Sequence, residues 1–112
     1  VSPSEAVVAI NLIPLRDGAT VDAFSTFSAE LDQPTCLAQA AVQAFSAFAV
    51  RRRDPGAPAI DIVEVMQVSS WDEWVETRDA LPAMASLTRE FDKLVDAAAV
   101  RTLFATPIRP LS

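Results

Sequence analysis

Ile60-Asp61-Ile62-Val63-Glu64-Val65-Met66-Gln67-Val68 is the segment whose reading decides the fold. It is rich in β-branched residues and reads as a strand from Ile60 to Val68. Glu64 shares the parity of Ile62, Met66 and Val68, so it falls on an apolar face. A carboxylate there must be hydrogen-bonded, ion-paired or housed in a cavity. Upstream, Arg53 to Ala59 holds two prolines and a glycine, a loop between antiparallel strands. Val42 to Arg52 reads as the preceding strand, with Phe45 on one face and Phe48 and Val50 on the other. Downstream, Ser70 and Glu73 have capping-box spacing and open a short helix carrying Trp71 and Trp74.

The same reading extends to both ends. Ala6 to Ile13 is apolar and β-branched and stops at Pro14, giving a first strand. Arg16-Asp17-Gly18 forms a turn, and Thr20 caps a helix over Val21 to Leu31 with Val21, Phe24, Phe27, Ser28 and Leu31 on its buried face. Pro34 is expected to break that helix and leave Thr35 to Ala40 as a turn. Pro82 suits the first turn of a helix running to about Asp96, with Met84, Leu87, Phe91, Leu94 and Val95 as its apolar stripe. Val100 to Thr106 is the last strand, and Pro107 and Pro110 close the ordered chain.

The order β-α-β-β-α-β predicts an α+β domain. A four-stranded antiparallel sheet carries its helices on one face, because right-handed crossovers place both there. Apolar residues occur at both parities of the strands, so the bare sheet face calls for a second copy of the chain. A homodimer is the expectation.

Composition removes several function classes. The 112 residues fit one domain over 1–112, and 51% hydrophobic with 21% charged residues excludes a disordered chain. A formal charge of −6 opposes nucleic-acid binding. Arg51-Arg52-Arg53 is the only basic cluster and is either a solvated strand end or an anion clamp. No apolar run approaches the roughly 18 residues that span a bilayer, so no membrane is expected as partner. With no secretory leader visible and a single cysteine, the expected compartment is cytoplasmic. Histidine and tyrosine are absent, so proton transfer falls to Asp, Glu, Lys, Cys or water. The two glycines form no phosphate loop. No metal and no cofactor are expected.

Asp32 follows the first predicted helix, where the dipole disfavours a negative charge. It is either a turn carboxylate bonded to the amides of Thr35 or Cys36, or an acid–base group. Glu64 either pairs with an arginine such as Arg52 or Arg101, or is a carboxyl of raised pKa. Cys36 is a nucleophile without an activating histidine or a small buried residue. Asn11 interrupts an apolar strand, either aiming its amide into a cavity or pairing across the sheet. Trp71 and Trp74, at i and i+3, are core anchors or a wall for a flat ligand.

Two blocks carry a family resemblance. The first is Leu31-Asp32-Gln33-Pro34-Thr35-Cys36, followed by Val42-Gln43-Ala44-Phe45 and a strand ending Arg51-Arg52. The second is Asp61 to Val68, followed by a short helix, Pro82-Ala83-Met84 and Glu90-Phe91. In order and spacing the chain resembles the RedY-like (HapK-type) proteins of the dimeric α/β-barrel superfamily. The resemblance implies a ferredoxin-like protomer and a dimer closed by facing sheets. It also implies cofactor-independent enzymes of bacterial secondary metabolism, associated with prodiginine-type pyrrole and tryptophan-derived bisindole pathways, which guide cyclisation, water loss or rearrangement. By position it assigns acid–base roles to Asp32 and Glu64. The substrate expected is a small aromatic molecule held by Asn11, Cys36, Arg52, Trp71, Trp74 and Phe91. Many relatives in the wider superfamily use a histidine, which this chain lacks.

Overall fold

The computed structural model describes residues 6–109; Pro110, expected to close the chain with Pro107, lies outside them. Strands β1 (Val7–Ile13), β2 (Val42–Ala49), β3 (Ile62–Val68) and β4 (Arg101–Ala105) form one antiparallel sheet in the order β2-β3-β1-β4. Along β3 burial alternates, with Ile62, Glu64, Met66 and Val68 buried under the helical layer. The α+β architecture, with helices on one sheet face, is the one expected from the sequence.

Two strand boundaries depart from expectation by more than one residue. Asp61 leaves the third strand because its carboxylate accepts the Leu15 N–H at 2.8 Å, while its own N–H donates to the Ile13 carbonyl. That amide lies just beyond Pro14, which cannot continue the ladder. The second strand ends at Ala49 rather than Arg52. Its blurred alternation has a cause as well. The register passes from Val42↔Val68 to Ala44↔Gln67, leaving Gln43 as a bulge. The bulge shifts parity by one, so Val42 and Phe45 are both buried.

Pro34 does not end the first helix. Helix α1 (Val21–Phe27), capped by the Thr20 hydroxyl, passes into a π-helical turn (Ser28–Asp32) and resumes as α2 (Gln33–Leu37). The Gln33 N–H reaches five residues back, to the Ser28 carbonyl. A wider turn just ahead of Pro34 accommodates both its missing N–H and the clash its ring makes with an ordinary α-turn. Among the residues expected on the buried face, Val21 is exposed, whereas Phe24, Phe27 and Ser28 are buried.

Helix α3 (Trp71–Ala80) starts as expected, with the Ser70 hydroxyl accepting the Glu73 N–H. Leu81 is extended, as a residue before proline tends to be, and α4 (Pro82–Leu94) follows. Val95 leaves the helix to bridge Leu15 and is fully buried. Phe24, Phe27 and Phe91 pack edge-on or tilted, with centroids 5.6–6.4 Å apart, and tie α1 to α4. Phe24 is 1% exposed. Phe24→Ala should therefore cost about 3–5 kcal/mol in urea unfolding; a loss below about 1 kcal/mol would show that this cluster does not hold the layers together.

Candidate active site

The sheet register places three polar residues in one row on the helix-covered face. Asn11 of β1 lies opposite Glu64 of β3 on one side and Thr102 of β4 on the other. Asp32 comes from above, at the end of the π-turn, and Cys36 follows one turn later in α2. Asp32 and Glu64 are 6% and 4% exposed. They line a cavity of about 270 Å³ together with Asn11, Cys36 and Thr102. Its remaining wall is Phe45 and Met66 from the sheet, Trp71, Trp74 and Arg78 from α3, and Met84, Leu87, Thr88 and Phe91 from α4. Trp71 stands edge-on to Phe104, centroids 4.8 Å apart.

The hydrogen bonds run in one direction. The Thr102 hydroxyl donates to Asn11 Oδ1 at 2.7 Å, which turns Asn11 Nδ2 towards Glu64 Oε1 at 3.3 Å. Glu64 Oε2 is then the one buried side-chain oxygen without a donor among the described residues. Asp32 and Glu64 are close enough to share a hydrogen bond when one of them holds a proton. From the other side Cys36 Sγ donates to Asp32 Oδ1 at 3.5 Å. The row thus ends at Asp32, which accepts from Cys36 on one side and shares a hydrogen bond with Glu64 on the other.

Burial raises the pKa of Glu64 to about 9, and the neighbouring Asp32 charge adds to the rise. Burial also raises Asp32, but the hydrogen bonds from Glu64 and Cys36 oppose the shift. Near neutrality the proton therefore sits on Glu64, and Asp32 is the carboxylate. The Cys36 thiol is pushed far up by burial and by both acids, so it is a donor rather than a thiolate nucleophile.

The structure brings together Asn11, Asp32, Cys36, Glu64, Trp71, Trp74 and Phe91, all expected at the site. It does not bring Arg52 there. The second strand ends three residues short of it, and Arg52 lies exposed in the following loop beside Arg53, Asp54 and Pro58. Neither arginine considered for Glu64 pairs with it; Arg101 donates instead to the carbonyls of Ala98 and Val100. Asp32 makes no capping bond to the backbone and sits within a helix, not after one. Thr102, Arg78 and Thr88 were missed. Arg78 follows Trp71 by seven residues, a spacing that shares a helical face, while Thr102 becomes visible only once β4 is in register.

Among the described residues no three His, Cys, Asp or Glu side chains converge as a metal-ligating set, and no helix is long and apolar enough to cross a membrane. A smaller cleft of about 110 Å³ beside β2, lined by Phe24, Ser25, Ser28, Gln33 and Phe48 among others, holds no titratable group.

The raised pKa of Glu64 has a consequence for stability. Unfolded, Glu64 loses its proton near 4.5; folded, it keeps it to about 9. The folded state binds the extra proton across that window, so its contribution to stability falls as pH rises through it. Glu64→Gln should gain stability relative to wild type between pH 5 and pH 8 in urea titrations. A wild type-to-variant difference that stays constant over this range would mean that Glu64 titrates normally.

The comparisons agree with this architecture. A family model described as REDY-like protein HapK matches residues 7–108. HapK from Hahella chejuensis superposes with a TM-score of 0.72 at 22% identity, covering 95% of this chain and 96% of that one. SnoaB from Streptomyces nogalater, described as a cofactor-independent oxygenase, gives 0.69 at 14% identity, over 96% and 98% of the two chains. A dimeric ferredoxin-like protein of unknown function from Thermobifida fusca gives 0.69 at 14% identity, over 96% and 95%. No curated protein matches the sequence. With nearly its whole length matched by that family's model, and the ferredoxin-like fold shared by its structural neighbours, the chain belongs to the HapK (REDY-like) family.

Proposed function

We propose that the protein is a cofactor-independent enzyme of bacterial secondary metabolism that moves a proton on a reactive aromatic intermediate, indole- or pyrrole-derived, to bring about cyclisation, loss of water or rearrangement. The observation that carries this reading is the Asp32–Glu64 pair, buried together in the wall of a cavity lined by Trp71, Trp74 and Phe91, where burial and the Asp32 charge raise the pKa of Glu64. Asp32, which accepts from Cys36 and from the protonated Glu64, is the base. Glu64, with its proton retained beyond neutrality, is the acid that returns it. An acid and a base held side by side, with their pKa values pushed apart, suit a reaction that removes a proton at one atom and adds one at another. Trp71, Trp74 and Phe91 would hold the ring system, and Asn11 fixes which oxygen of Glu64 carries the proton. A volume of about 270 Å³ lies just below the roughly 300–1,000 Å³ of common ligand sites, which favours a compact substrate. Enclosure contributes by excluding water and limiting the intermediate to one reactive conformer.

A second reading, a cofactor-free oxygenation, is favoured by the likeness to SnoaB. Here the same base would form a carbanion that reacts with dioxygen. The two readings separate on oxygen dependence.

A homodimer belongs to the same proposal. The sheet face away from the helices carries half-buried Val8, Ile10, Leu12, Val63 and Val65. Phe48 and Leu103 beside them are 55% and 56% exposed. Such an apolar face suits burial against its own copy, and two of the structural neighbours are described as dimeric. Sedimentation at micromolar concentration should give twice the chain mass, and a monomer would refute the dimer.

For the chemistry, the protein would be supplied with the intermediate formed in situ by enzymic oxidation of tryptophan, with products resolved by mass spectrometry. Wild type should shift the product distribution whether it meets the oxidised intermediate under air or after dioxygen has been removed. Asp32→Asn should slow that conversion about 10²- to 10⁴-fold while the protein stays folded. Undiminished turnover by an Asp32→Asn/Glu64→Gln double variant would leave only a sequestering role, and strict oxygen dependence would favour the oxygenase.

A further inference from the structure

Among the described residues Arg78 is the only basic side chain lining the cavity, and neither the family match nor the acid pair accounts for it. Trp71, Trp74 and Arg78 stand at i, i+3 and i+7 of α3, so the guanidinium lies on the same helical face as the two indoles. Its side chain is 44% exposed, whereas Asp32 and Glu64 are almost wholly buried. The cavity thus has a cationic outer end, an aromatic middle and a proton-holding inner end. Arg78 itself is lightly engaged. Its Nε donates to Asp79 Oδ1 at 3.3 Å, an exposed contact between sequence neighbours worth little. Its two Nη groups make no hydrogen bond among the described residues.

We propose that Arg78 reads a carboxylate on the substrate, so that the ligand this cavity prefers is an aromatic acid and not a neutral ring. The proposal rests on the reading of the cavity as an aromatic site and specifies its substrate class. A free guanidinium fork takes a carboxylate through two parallel N–H bonds, stronger and more directional than neutral contacts. The surroundings make such a group necessary. With a chain charge of −6 and an ionised Asp32 at the inner end, an anionic ligand meets an unfavourable field unless a cation stands at the entrance. Anchoring the acid at Arg78 also orients the ligand, leaving its ring between the tryptophans and the reacting atoms towards Asp32. The alternative role for a cation in the last turn of α3 is to offset the helix dipole. That role would affect stability but would not distinguish one ligand from another.

The test is calorimetric titration at pH 7 with indole-3-acetate and its uncharged counterpart indole-3-acetamide. Wild type should bind the acid about tenfold or more tightly than the amide. Arg78→Gln should abolish that preference by weakening the acid alone, and Arg78→Lys should restore part of it. Equal affinities in wild type, or an equal loss for both ligands in Arg78→Gln, would overturn the carboxylate assignment and leave the aromatic reading standing. Failure of both ligands to bind wild type would overturn the two together.

Discussion

Two carboxyl groups buried against each other cannot both be charged, and the interior of this protein is arranged around that constraint. Asp32 and Glu64 lie beneath a helical layer that shields them from water. Desolvation and mutual repulsion together force one proton to stay on the pair. Burial and the Asp32 charge keep it on Glu64, against the opposing pull of the Asn11 bond. Thr102 orients the amide of Asn11, Asn11 holds one oxygen of Glu64 as an acceptor, and the other oxygen is left without a donor. The thiol of Cys36 supplies Asp32 with a second donor. Each bond polarises the next in a medium of low dielectric, so the row behaves as a unit.

The fold meets this constraint through two unrelated devices. The first is sheet register. Asn11, Glu64 and Thr102 come from three strands remote in sequence and align because the ladders β1–β3 and β1–β4 fix them opposite one another. A slip of one residue in either ladder would turn part of the row to the outer face. The second is the π-turn ahead of Pro34, which changes the rotation of the helix where Asp32 leaves it. π-turns are rare and persist where their neighbourhood holds them, often at functional sites. Here Phe24 and Phe27 lock the segment before the turn, and Cys36 is buried in the segment after it. The position of Asp32 therefore depends on the packing of the segments on either side of the turn.

Much of the architecture was legible in the sequence, because it rests on patterns of period 2 and 3.6 and on caps of recognisable chemistry. Thr20, Ser70 and Pro82 open their helices where expected. Glu64 among valines announced a buried acid, since nothing in a plain core requires one. What escaped the sequence were properties that arise only between elements. Pro34 reads as a helix breaker, and nothing local reveals that a wider turn can absorb it. Gln43 reads as an ordinary strand residue, and only the pairing with β3 exposes it as a bulge. Arg52, expected to hold the substrate, lies past the end of the second strand. Asp61 ends that strand pair early by serving the amide of Leu15 instead. Thr102 is an unremarkable threonine until its register partner is known.

The absence of histidine makes the acid pair more informative. A chain that transfers protons near neutrality ordinarily uses the one side chain whose unperturbed pKa lies there. Without it, the available groups are carboxyls that titrate too low and basic groups that titrate too high. Burying two carboxyls together raises both without a new residue type. Their repulsion separates the two roles, one group holding its proton past neutrality and the other free to accept one. The arrangement also explains why Asn11 and Thr102 are polar on an otherwise apolar sheet face. With apolar side chains at those positions, Glu64 would lose the only neighbour that distinguishes its two oxygens, and its shared proton would have no fixed direction. The polar row thus supplies direction, and the apolar wall around it supplies the shift in pKa; neither alone would make a proton donor and acceptor from two ordinary acids.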